Sequence, residues 1–125
     1  MNIPNSVVLW KDIHEISNKI CKYYGLSYSK ILPEIRKQAR HFGECRPCEK
    51  CCKAEHVDER NCNEKILYIR THHLHNPRKP LATSTILRTL AHELAHLRCW
   101  DHGKDHREFE EELVAHMREL GYRIV

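Results

Sequence analysis

Eleven histidines and seven cysteines in a chain of 125 residues raise the question of what chemistry they serve. Two groups stand out by their spacing. In the first, His92-Glu93-Leu94-Ala95-His96, two imidazoles lie four residues apart with a carboxylate beside the first. On a helix, positions i and i+4 share a face, so one metal ion can accept a nitrogen from each. Glu93 then stands against a metal-bound water as its general base. A third ligand must come from further along. His102 precedes Gly103 in a stretch that reads as a turn, from which it can swing back toward the two histidines. His106 is the rival, although its place on the apolar stripe of the next helix suits packing better than ligation.

The second group is Cys45-x-x-Cys48-x-x-Cys51-Cys52, followed by His56 and Cys62. A structural zinc needs four such ligands. Cys45, Cys48, Cys52 and Cys62 form two spaced pairs, with Cys51 and His56 as alternates. An iron–sulfur cluster is the weaker metal reading, because the C-x-x-x-C-P ending of that ligand set is absent. Thiols that hold no metal are the remaining reading. Cys21 and Cys99 fall in helical stretches and read as ordinary buried thiols, and His72, His73 and His75 as a solvated loop.

These groups need elements to position them. From about Asn5 to Tyr24, Leu9, Ile13, Ile16, Ile20 and Tyr24 keep a helical period, and Gly25 follows as a C-terminal stop. The segment from Ile31 to Phe42 is ambiguous: Pro33 opposes a helix, and a weak alternation favours a strand. Residues 43–63 read as a cysteine loop too polar and broken for regular structure. Ile66 to Arg70 is β-branched and aromatic, hence a strand, and 71–80 is a loop. A helix is expected from Thr83 or Ser84 to about Trp100, with Leu87, Leu90, Leu94 and Leu97 inward. His92 and His96 then project roughly 160° from that stripe. Asp105 and Glu108 suggest the capped start of a last helix to about Leu120, with Phe109, Leu113, Met117 and Leu120 as its core stripe.

The stretch TLAHELAHLRCWDHGKDHREF (89–109) resembles the SprT-like, WLM and YgjP-like group of small zinc metallopeptidases. In that group H-E-x-x-H is followed by a third histidine in an H-[GS]-x-x-[FW] context. His102-Gly103 matches this, while His106 stands where an aromatic is usual, which keeps His106 in contention as a ligand. Upstream, a helix, the run Ala39-Arg40-His41-Phe42-Gly43 and the ILYIR strand follow the order of a minimal zincin core. The resemblance covers most of the chain. It implies an α+β fold and a single domain over 1–125, with the cysteine loop 43–63 inserted between strands. It also implies a catalytic Zn²⁺ on His92, His96 and His102, and a strand at 66–70 that offers its edge to an extended polypeptide. Metzincins fit poorly, since Cys99 stands where they need glycine and no Met-turn is evident. The eight residues from Cys45 to Cys52 are similar to the CxxCxxCC signature of the YkgJ-like family, proposed to chelate zinc or iron.

The function expected is therefore a zinc metallopeptidase that hydrolyses peptide bonds with Glu93 as general base. The alternative is a non-catalytic metal- or nucleic-acid-binding module on a degenerate zincin scaffold. Tyr68 and His106 are candidates for an oxyanion donor. A formal net charge of +4 permits a nucleic-acid partner without requiring one. No apolar run suits a membrane span and no secretory signal is evident, so a cytoplasmic protein is expected.

Overall fold

The computed structural model describes residues 10–35, 42–46, 64–73, 75–76 and 78–125. The architecture is α+β, an N-terminal helix, a three-stranded mixed sheet and two C-terminal helices packed together. Helix α1 (Trp10–Tyr24) buries Ile13, Ile16 and Ile20 completely, as their spacing requires. Gly25 ends it at φ +69°, a conformation that costs other residues a Cβ clash. The expected first turn, 5–9, lies outside the described residues.

Strands β1 (Lys30–Pro33), β2 (Gly43–Arg46) and β3 (Ile66–Ile69) lie in the order β1-β3-β2. β1 runs parallel to β3, with Ile31 opposite Leu67. β2 runs antiparallel to it, with Cys45 opposite Leu67. The ambiguous segment resolves as a strand at its start, where Pro33 ends an outer strand and interrupts no inner ladder. Residues 36–41 lie outside the described residues.

Two expectations fail here. Gly43–Arg46 is a strand rather than the opening of an irregular loop, because pairing with β3 satisfies its backbone groups. β3 lies at the centre of the sheet, paired on both sides, and so has no edge to offer a substrate.

Helix α2 (Thr83–Ala95) buries Leu87, Leu90 and Leu94 fully, packing against β2 and β3 on one side and helix α3 (Lys104–Glu119) on another. It stops one turn before the expected end near Trp100. His96 caps it, and residues 97–99 continue only as turn-type hydrogen bonds to the last carbonyls. Cys99 therefore lies outside a helix and is half-buried, as is Cys21 in α1. Helix α3 begins at Lys104 after Gly103, so Asp105 sits in its first turn and caps nothing with its side chain. Of its expected inward stripe, Phe109, Leu113 and Met117 are buried and Leu120 is half-buried, and Gly121 follows at φ +100°. Among the described residues, no helix is long and apolar enough to cross a membrane.

Candidate metal centre

The centre forms where α2 ends and α3 begins. Leu90 and Leu94 lock one side of α2 into the core, which turns His92 and His96 toward α3 and the connecting turn. The two rings stand edge to face with centroids 4.9 Å apart, as one helical turn demands. His106, in the first turns of α3, brings its ring to 4.6 Å from His92 and 4.2 Å from His96. His92, His96 and His106 each offer a ring nitrogen within 4.8 Å of the other two, so this group could hold a metal ion. His96 and His106 are buried, and His92 is half-buried.

His102 comes to the same place from the turn. Its Nε2 lies 3.1 Å from Nε2 of His92, and its ring centroid is 4.6 Å from that of His96. It is exposed, whereas His106 is 3% exposed. Four imidazoles therefore meet at one point.

The hydrogen bonds sort their nitrogens. Nδ1 of His92 pairs with the Glu110 carboxylate from α3. Nδ1–H of His96 donates to the Trp100 carbonyl at 2.9 Å. Both Nε2 atoms are thereby left as lone-pair donors, the tautomer a metal requires. Nε2–H of His106 donates to the His92 carbonyl at 3.0 Å. Only Nδ1 of His106 then remains for a metal.

Glu93 is 4% exposed. Burial, with Glu44 and Glu110 adding repulsion, pushes its carboxyl up to about 8. Burial, chiefly, and then the neighbouring His106 bring His96 down to about 4, against the opposing pull of the Trp100 carbonyl. His106 is lowered as well, again mainly by burial. A neutral imidazole is the form that ligates.

Glu93, His92, His96 and His102 open onto a cavity of about 470 Å³, walled by Gly43 and Cys45 of β2 and by Trp100. Lys65, just before β3, lies over the Trp100 ring at 5.4 Å. Gly43 explains how β2 comes so close to α2. A Cβ there would lie 2.6 Å from the Thr89 methyl, 2.8 Å from the Tyr68 carbonyl oxygen and 3.1 Å from Cγ of Glu93.

Sequence reasoning missed Glu110, Trp100 and Gly43. Glu110 stands four residues after His106, on the same face of α3, and that spacing was the signal available. Trp100 acts through its main chain, which no residue type announces. Of the cysteine group, Cys45 lies on the cavity wall, while Cys48, Cys51, Cys52, His56 and Cys62 lie outside the described residues. His72, His73 and His75 are exposed and do not line the cavity of the candidate centre. Comparison with known proteins finds no family model, no curated protein and no solved structure that matches this chain.

Proposed function

We propose that this protein is a zinc-dependent peptidase of the SprT-like and WLM-like kind, with Glu93 as its general base. The observation that carries the reading is the set of hydrogen bonds that aims the Nε2 lone pairs of His92 and His96 while Glu93 lines the same cavity. A plain metal store needs the imidazoles but not a buried carboxylate beside them.

The donor set fits zinc. At bond lengths of about 2.0–2.1 Å, tetrahedral ligands stand about 3.3 Å apart, and Nε2 of His92 and His102 are 3.1 Å apart. In this reading His102 is the third ligand. It lines the cavity, and its ring nitrogen already meets that of His92. His106 spends Nε2 on the His92 carbonyl and so supports the helix end that carries the ligands. When bound, zinc supplies a Lewis acid that polarises a carbonyl and acidifies water.

The protein's own groups do the rest. Glu93 takes the proton of the attacking water and passes it to the leaving amine, work that needs a carboxyl poised near neutrality. Glu110 and the Trp100 carbonyl hold His92 and His96 in one tautomer and orientation. An extended polypeptide would pair with β2, the outer strand that walls the cavity, rather than with central β3. A second zinc on the cysteine group, through Cys45, Cys48, Cys52 and Cys62, belongs to the same proposal, as does a cytoplasmic location.

The test is hydrolysis of an unfolded polypeptide by zinc-reconstituted protein and by Glu93→Gln at matched zinc content. The wild type should cleave it and the variant should lose at least about 10²-fold in rate. Equal rates would refute the mechanism.

A further inference from the structure

A second cavity of about 410 Å³ adjoins the first, sharing Gly43, His92 and Glu93 with it. The two cavities therefore meet at the buried carboxylate. Beyond the shared residues this lobe is lined by Phe42, Thr85, Arg88, Thr89 and Glu110.

Arg88 is the feature that sets its chemistry. It lies one helical turn before His92, so its guanidinium shares the helix face that carries the candidate ligands. No other described residue lining the lobe is a lysine or arginine. Thr89 turns its hydroxyl back to the Thr85 carbonyl at 2.8 Å and so contributes its methyl group to the cleft. Phe42 is 49% exposed and adds an apolar wall.

Among the described side chains, no carboxylate pairs closely with this cation. Glu110 is committed to Nδ1 of His92. Glu111 reaches Nη1 of Arg88 only at 4.0 Å, with its side chain 60% exposed, and such a pair is worth little. The firm contact is at Nε alone: Nε–H of Arg88 donates to a main-chain oxygen of Val125, the last residue of the sequence, at 2.9 Å and fixes the stem. A guanidinium has five N–H donors arranged to fit a carboxylate, and these contacts engage only part of them.

We propose that this second lobe is a substrate subsite in which Arg88 binds a peptide carboxylate beside the bond to be cleaved. The carboxylate comes from an acidic side chain or from a chain terminus. This rests on the peptidase reading, and the test separates the two.

Binding is measured by fluorescence anisotropy on zinc-loaded Glu93→Gln protein, with three labelled peptides of one length. One carries Glu at the central position with an amidated end. A second carries Gln there and is also amidated, and a third carries Gln with a free terminal carboxylate. The amidated Glu peptide or the free-terminus peptide should bind about tenfold more tightly than the amidated Gln peptide. Which of the two does so identifies the source of the carboxylate. Arg88→Gln should bring all three to within about twofold of each other, while Glu111→Gln should leave the gap in place.

Equal binding of all three by the parent protein overturns the subsite, as does a preference that survives Arg88→Gln. The same peptides offered to zinc-loaded protein with Glu93 intact report on the parent reading. Cleavage without charge preference sinks the subsite alone, and charge-selective binding without cleavage of any peptide sinks the peptidase.

Discussion

Four histidines converge where three suffice, and their hydrogen bonds assign them different work. His102 has Nε2 against that of His92, while His106 gives its Nε2–H to a main-chain carbonyl. Substituting His102 with Ala should therefore weaken zinc binding by at least about tenfold. His106→Ala should keep one zinc at this centre and lower thermal stability, because a buried hydrogen bond and its packing are lost. Zinc titrations of the two variants check this, and the reverse order would hand the third place to His106. Glu110→Gln should weaken zinc about tenfold or more while leaving the fold intact, since it orients His92 without reaching the metal. The H-E-x-x-H spacing announced His92, Glu93 and His96 because helical geometry alone brings them together. Glu110 and Trp100 were hidden because their contribution depends on where α3 and the turn come to rest.

At the scale of elements, the closest approach is that of β2 to α2, and Gly43 makes it. A methyl group at that position meets the Tyr68 carbonyl, which is held in the sheet and cannot yield. Gly43→Ala should cost about 1–3 kcal/mol and push β2 away from Glu93, so that activity falls further than stability. Denaturant unfolding beside a rate measurement checks both; an unchanged midpoint would show the approach to be slack. The helices were legible in the chain because Ile13, Ile16 and Ile20, or Leu87, Leu90 and Leu94, repeat with the helical period and are fully buried. β2 was not. Gly43-Glu44-Cys45-Arg46 is too short for its alternation to stand out and has no β-branched residue, and the ladder to β3 is what makes it a strand. For the same reason the central place of β3 is not legible in its residues, since which strand lies outside is decided by pairing partners distant in sequence. The end of α2 is hard to read because apolar spacing continues through Leu97, while from His96 to Arg98 the hydrogen bonds have tightened to i→i−3 turns.

For the molecule as a whole, the candidate metal centre draws on α2, α3 and their connecting turn, so a metal bound there would link binding to stability. Zinc at about 100 times its dissociation constant should add about 2.7 kcal/mol, or roughly 10 °C in Tm for a chain of this length. The part of that shift due to this centre should vanish in a His92→Ala/His96→Ala variant, while any part due to the cysteine group remains. A shift unaltered in the variant would place all the stabilisation elsewhere. Whether zinc occupies the α2–α3 junction is read out by elemental analysis of the purified wild type and this double variant. The wild type should hold one zinc per chain more than the variant, whatever the cysteines retain. Equal zinc in the two proteins would contradict it, and the peptidase reading would fall with it.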